Sequence, residues 1–358
     1  MKICYLGENG SVHNQKWIRA LIQVHEIELH VITFDRGLIF EGAEYHFLKM
    51  YSGNRIDYFL NIPRIQSLVK AINPDILHAH YATSYGFMAA FTGFHPLIIT
   101  GWGADIFDTA KNFFIKRLLR YSFHQADAIT VLSEITRKEI VKLTKKKVDL
   151  IPFGVDTDKF IPATKSASKF FRIGTIRTLS EKYGVEYLIR AFALVAGKYP
   201  NIVLDIVGDG ELKDKLVALS GELGVSDKVV FHGFISQQKE FDKYYSILSQ
   251  LDIFAILSVL DSETFGVAAV EASACGIPVV ATNVGGLTEV ILDGKTGLIV
   301  PPRDVLKTAK AIEKLISDQQ LRNSMRVAGR NFVMENYDWK KCVSKMVDLY
   351  ASLQQTHA

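Results

Sequence analysis

Short apolar runs alternate with amphipathic segments along this chain, and the alternation repeats from one half to the other. In the first half, residues 3–6, 29–34, 76–80, 97–100 and 128–132 read as strands, with helical periodicity beginning near Asn14, Pro63, Thr83, Lys111 and Ser133. The second half restarts at 172–176 and continues through 203–208, 229–231, 253–257 and 278–281. Near-continuous apolar strands separated by amphipathic helices are the mark of parallel sheets covered by helices on both faces. The pattern predicts an α/β protein that is doubly wound twice, with two Rossmann-like domains. Between them, residues 151–169 (IPFGVDTDKFIPATKSASK) carry Pro, Ser and Lys without a period and read as the linker.

The chemistry is densest in residues 261–304, DSETFGVAAVEASACGIPVVATNVGGLTEVILDGKTGLIVPPRD, where Glu263 and Glu271 stand eight positions apart. Val267, Val270 and Ala274 follow a helical period, so Phe265 and Gly266 fall at a helix start, where free backbone N–H groups attract phosphate. Glycine at 266 lets a ligand approach the backbone closely. Two carboxylates beside a phosphate site need other partners, and sugar hydroxyls are the obvious ones, because a carboxylate accepts two hydrogen bonds from a diol. In a continuous helix their backbones would be about 12 Å apart along the axis. Paired glycosidase carboxylates lie roughly 5 to 9.5 Å apart across one bond, so the spacing speaks against a hydrolase.

Taken together, ETFG, EASACGIPVVAT, the GG pair and DGKTGLIVPP resemble the signature of retaining glycosyltransferases of family 4, which adopt the GT-B fold. The resemblance spans most of the chain. It implies two Rossmann-like domains facing a cleft, with the first Glu of the acid pair, Glu263, beside the donor sugar and the second, Glu271, on the nucleotide ribose. Upstream, RIGTIRTLSEKYGVEYLIRAF at 172–192 resembles the family's strand, basic residue, Glu-Lys-Gly and helix, with Arg177 and Lys182 at the basic positions. A strand ending at Ile176 puts both cations on a carboxyl-end loop, where ligands of open α/β folds bind and where fixed cations neutralise a departing diphosphate. Ile176 stands where the family usually has glycine, and Tyr183 is added before Gly184. Contacts around Gly208 and Phe234 would select the base. YDWKKCVSKMVDLYASL resembles the last GT-B helix, which typically returns to the first domain. The expected division is an acceptor-binding domain at 1–164, a nucleotide-sugar-binding domain at 165–338 and a returning helix at 339–358.

On the acceptor side, Gly7, Gly10 and His13 lie in LGENGSVHNQKW, a glycine-rich turn after the first strand whose N–H groups suit phosphate or sugar oxygens. This is not a dinucleotide fingerprint. ITGWGADIF resembles the family's T-x-H-G-x-D element, with Asp105 at the acid and Trp102 in place of histidine; an indole cannot relay protons, but it can stack on a sugar. In LHAHYATSYG, His78 reads as a core or cleft-wall residue and His80 as an acceptor contact. Asp156 and Asp158 fall in the linker, and no acidic cluster near the proposed site resembles a cation cage, so neither a metal nor another cofactor is expected.

A chain of 358 residues suits two cores, and 48% apolar composition with no low-complexity run argues against disorder. Cys4, Cys275 and Cys342 are odd in number and far apart, which points to free thiols in a reducing compartment. Neither a signal-peptide pattern nor an apolar run of membrane-spanning length is visible, so the expected place is the cytoplasm, with any membrane contact peripheral. Net charge is only +4, yet residues 111–147 hold ten Lys or Arg against three acids. There Phe113, Phe114, Leu118 and Tyr121 interleave with Lys116, Arg117 and Arg120. Two readings stand: an amphipathic helix at the anionic inner face of a membrane, or a core helix with a solvated basic face. No nucleic-acid motif accompanies it.

The sequence therefore points to a metal-independent, retaining hexosyltransferase. It would move sugar from a nucleotide donor to a glycan or lipid-linked acceptor, in what the resemblance implies is cell-envelope polysaccharide synthesis. A non-catalytic nucleotide-sugar-binding subunit is the alternative. An NAD-type oxidoreductase is disfavoured by the lack of a glycine fingerprint with its ribose-binding acid.

Overall fold

Among the residues that the computed structural model describes, 1–107, 112–164 and 169–357, the apolar runs form two sheets in which every neighbouring pair is parallel. The first comprises β1 (Lys2–Leu6), β2 (Glu28–Thr33), β3 (Ala43–Phe47), β4 (Ile76–His80), β5 (Leu97–Gly101), β6 (Ala128–Val131) and β7 (Val148–Leu150), in the order β3-β2-β1-β4-β5-β6-β7. The second comprises β8 (Phe171–Ile176), β9 (Ile202–Val207), β10 (Val229–Gly233), β11 (Ile253–Ile256), β12 (Val279–Thr282) and β13 (Gly297–Val300), in the order β10-β9-β8-β11-β12-β13. Every residue of β4, β5, β11 and β12 is buried, as parallel strands covered on both faces require. Strand order reverses between β1 and β4 and again between β8 and β11. In open α/β sheets ligands bind at the carboxyl ends of the strands flanking such a reversal.

Two compact units carry the two sheets: Met1–Phe153 with Lys340–Ala358, and Gly154–Trp339. The division therefore falls after Phe153 rather than at 164, and the segment from Gly154 is not a free tether. Val155 bridges to Asp338, and Arg330 donates to the carbonyls of Thr157, Phe160 and Ala274 at 2.8, 2.5 and 2.9 Å. Asp156 holds turn N–H groups of Asp158 and Lys159.

The last helix, Trp339–His357, gives Cys342, Met346 and Tyr350 to the first unit's core. The Tyr350 hydroxyl lies 2.6 Å from His78 Nδ1, while His78 Nε2 meets the Thr100 hydroxyl at 2.7 Å. His78 is thus a fully buried core residue.

The expected strands and helices form within a residue or two of their places; the helix expected near Lys111 runs Phe113–Gln125, and Lys111 itself lies outside the described residues. Three strands were not foreseen, β3, β7 and β13, and each is a sheet edge. Edges are covered on fewer sides, so their apolar signal is short or diluted. No helix among the described residues is long and apolar enough to cross a membrane.

Candidate active site

At the reversal in the second sheet, β8 delivers Arg177 and β11 delivers Ser258. The Arg177 N–H still bonds to Val207 O at 2.9 Å, which fixes where the strand stops and its side chain begins. The guanidinium pairs with the Glu263 carboxylate, donates to Ser258 Oγ at 3.3 Å, and lies 4.2 Å from the centre of the Tyr183 ring. Ser258 Oγ in turn donates to Glu263 Oε2 at 3.0 Å. Both charged side chains are buried, with exposures of 12% and 9%. Burial lowers the Arg177 pKa to about 10, which leaves it cationic at neutral pH. Its Nε atom is buried without a hydrogen-bond partner among the described residues. A buried cation with an unused donor at the carboxyl end of a sheet is suited to an anion.

Lys182 sits in the single helical turn Glu181–Tyr183, closed by Gly184 in the left-handed conformation. Lys182 Nζ donates to Ser262 O at 3.1 Å, and the Lys182 carbonyl accepts from the Val259 N–H at 2.9 Å. The turn is thereby fastened to the β11 loop, and glycine at 184 is required because a Cβ there would lie 2.1 Å from Leu257 O. Tyr183, the residue added relative to the family pattern, supplies the ring beneath Arg177.

Glu263 is positioned from behind. Gly286 N–H donates to Glu263 O at 2.8 Å, and a Cβ on Gly285 would stand 1.9 Å from the same oxygen. The chain then turns through Gly266, with φ of 79°, into the helix Val267–Ala274, whose first N–H groups have no acceptor within the helix. Phe265 is buried, edge-on to Tyr337. Glu271 projects from the interior of that helix, buried, and its two oxygens accept from Gln237 Nε2 at 2.8 Å and Tyr244 Oη at 2.5 Å. Burial, followed by the Glu271 charge, pushes the Tyr244 hydroxyl well above its usual pKa. Beside them, Gly208 donates to Gly233 O at 2.8 Å, and the following Phe234 is 74% exposed, an open aromatic face. Arg177, Lys182, Glu263 and the 265–267 turn are thus gathered on neighbouring loops of one sheet. The sequence reading missed Ser258, Gln237 and Tyr244, which are neutral residues without a charge pattern to mark them.

In the first unit the expected residues part company. His13 stacks on Phe153 with centroids 4.4 Å apart and stands edge-on to Trp102 at 5.8 Å; burial, helped by Lys16, lowers its pKa to about 4. Trp102 Nε1 donates to His80 Nδ1 at 3.3 Å, and His80 stacks on Tyr5 at 4.4 Å with only 1% exposure. Asp105 is fully buried and accepts from the N–H groups of Ala82, Trp102 and Gly103 at 2.6, 3.0 and 2.8 Å. Asp105 thereby clamps the loops after β4 and β5, and His80 is buried behind Trp102 with its Nε2 lacking a hydrogen-bond partner among the described residues. A cavity of about 620 Å³ does open at the carboxyl ends of β1, β2, β4 and β5, lined by Glu8, Asp35, Arg55, Tyr81 and Trp102 among others. Gly10 lies beside it, where a Cβ would be 3.3 Å from Asp35 Oδ1. Tyr81 holds a φ of 77°, unusual for so large a side chain and characteristic of functional loops.

Two family models match this chain, Glycosyl transferase 4-like over residues 2–133 and Glycosyl transferases group 1 over residues 156–332. The chain belongs to the family 4 glycosyltransferases. The group 1 match contains Arg177, Lys182, Glu263 and Glu271 together. Among similar proteins, the GDP-mannose-dependent alpha-(1-6)-phosphatidylinositol monomannoside mannosyltransferase of Mycolicibacterium smegmatis is 31% identical over 253 residues, 66% of this glycosyltransferase and 65% of that protein. N-acetyl-alpha-D-glucosaminyl L-malate synthase of Bacillus anthracis is 28% identical over 378 residues, covering 97% of this chain and 95% of that one. The fold is shared with sucrose-phosphate synthase from Thermosynechococcus elongatus (TM-score 0.82, 18% identity, 99% of this chain and 100% of that one). It is shared equally with Anabaena HepE in complex with UDP (TM-score 0.83, 20% identity, 99% and 100%). This glycosyltransferase therefore has the GT-B fold.

Proposed function

We propose that this glycosyltransferase moves a hexosyl group, with retention and without a metal, from a nucleoside-diphosphate sugar to a hydroxyl of a glycan or lipid-linked acceptor in cell-envelope polysaccharide synthesis. The observation that carries the reading is the buried Arg177–Ser258–Glu263 constellation at the β8/β11 reversal, with Lys182 on the adjoining turn and an unused Arg177 Nε. The two cations supply the positive charge a diphosphate needs as a leaving group, in a desolvated setting where such contacts are strongest. The helix start at Gly266 adds N–H donors, Glu271 with Tyr244 holds the ribose, and Phe234 offers a face to the base. Glu263 orients the donor sugar. The bond from its anomeric carbon to the phosphate oxygen breaks as the acceptor oxygen bonds on the same face, and the departing phosphate takes the acceptor proton. The second unit would hold the donor and the first unit's cavity the acceptor.

The Mycolicibacterium protein is named for a phosphatidylinositol-linked substrate, which favours a lipid-linked acceptor here. So do Phe113 and Phe114, which are 66% and 75% exposed beside Arg117 and Arg120 and would suit the surface of an anionic bilayer; the protein would then act at its cytoplasmic face. The deciding experiment incubates the purified protein with EDTA, a panel of nucleoside-diphosphate sugars, and lipid-linked or free glycan acceptors in anionic vesicles. NMR of the product then reads the anomeric configuration. Transfer with retention is expected. Inversion or a metal requirement would overturn the mechanism, donor binding without turnover would favour a non-catalytic subunit, and binding of NAD alone would end the transferase reading.

A further inference from the structure

The outer edge of the first sheet carries a cluster that the transfer site does not use. β3 is the edge strand, and its parallel register places Glu44 opposite His30 of β2. Alternation puts His46, two residues on, on the same face. His30 Nδ1 lies 3.2 Å from His46 Nε2 and 3.5 Å from Glu44 Oε2, and His46 Nε2 lies 3.6 Å from Glu44 Oε1. Donors at zinc distances of about 2.0–2.1 Å, arranged tetrahedrally, are about 3.4 Å from one another. One donor atom from each of the three residues lies within 4.8 Å of the others, close enough for small rotamer shifts to bring them onto one face of a tetrahedron.

The outer ring nitrogen fits the same picture. His30 Nε2 lies 3.0 Å from Glu28 Oε1, and a carboxylate on the far nitrogen fixes the tautomer that leaves Nδ1 free to ligate. The two imidazoles are held rigidly, with exposures of 8% and 17%, whereas Glu44 is 66% exposed and leaves an open path for an ion.

We propose that His30, Glu44 and His46 bind one zinc ion, which staples the edge strand β3 to β2, with Glu28 orienting His30 from behind. Two nitrogens and a carboxylate suit zinc better than calcium or magnesium, which prefer all-oxygen cages. The staple lies at the edge of the first unit's sheet, whereas Arg177 and Glu263 belong to the second unit.

The test uses the full, tag-free chain, freed of metal with EDTA and dialysed, then titrated with Co²⁺ as a visible probe and with Zn²⁺. One equivalent of Co²⁺ should give the d–d bands of a tetrahedral site, displaced by Zn²⁺, and Zn²⁺ should raise the melting temperature. Glu28→Gln should weaken binding by roughly 10–100-fold. His46→Ala and Glu44→Gln should each abolish the bands; Glu44→Gln sits at an exposed position, so its fold, checked by melting in EDTA, should match the parent. No stoichiometric bands in the parent, or bands that survive Glu44→Gln, would overturn the proposal and leave an ordinary N–H···N contact between two histidines.

Discussion

At the scale of single residues, Glu263 and Lys182 share one proposed chemistry but differ in what their loss does to the fold. Glu263→Gln removes the acidic partner of the buried Arg177 guanidinium, and breaking a buried ion pair from one side costs about 3–5 kcal/mol. A lowered melting temperature should therefore accompany its loss of transfer. Lys182 holds one carbonyl, that of Ser262, so Lys182→Ala should cost only about 1 kcal/mol while kcat falls by roughly 10²–10³-fold. Melting curves and transfer rates on the two variants separate the cases, and near-normal kcat in Lys182→Ala would remove that residue from the mechanism. Arg177, Lys182, Glu263 and Glu271 were picked out by the family motifs they resemble, since an Arg–Lys pair or two acids eight apart would alone pass for solvated surface charge; the structure sets Arg177 against Glu263 and Lys182 against the Ser262 carbonyl. Ser258 and Tyr244 were not picked out, since a hydroxyl inside an apolar stretch has the same look whether it bonds a carboxylate or fills a core. The burial of Asp105 and His80 was equally invisible, because a polar type says nothing about which way the fold will turn it.

Elements of this fold meet through glycines, and two of them predict opposite results. Gly208 follows β9 with a φ of 142°, and a Cβ there would stand 1.8 Å from Arg177 O, so Gly208→Ala must push the end of β8 away from β9. Lower stability and loss of nucleoside-diphosphate binding are expected together. Gly221 lies in the helix Lys213–Glu222 with open space around it, and Gly221→Ala should raise stability by up to about 1 kcal/mol with donor binding unchanged. Thermal unfolding with and without UDP and GDP reads both. Interior strands declared themselves through unbroken apolar runs, whereas β3 (AEYHF), β7 (VDL) and β13 (GLIV) are respectively half-buried, three residues long and opened by glycine. A reading based on periodicity loses the margins of a sheet first, and here the margin also held the His30, Glu44 and His46 cluster.

For the whole molecule, acid is the informative variable. Burial lowers the His78 pKa to about 3, from about 6.5 in an unfolded chain, so the folded state binds fewer protons between those values. Stability supported by neutral His78 is present above pH 6.5 and is lost as pH falls toward 3, by at most about 5 kcal/mol. His80, lowered by burial and by His78, acts in the same direction. Urea midpoints at pH 7, 5 and 4 should fall steeply in the parent and less so in His78→Gln; equal slopes would place the acid sensitivity elsewhere. The bond from His78 to Tyr350 also bears on the order of assembly. The first unit joins residues made early to a helix made after the entire second unit. During synthesis the second unit can close while the first still waits with His78 uncovered, so the part translated first is completed last, and a ribosome that stalls before Tyr350 leaves the earlier half, not the later one, unfinished.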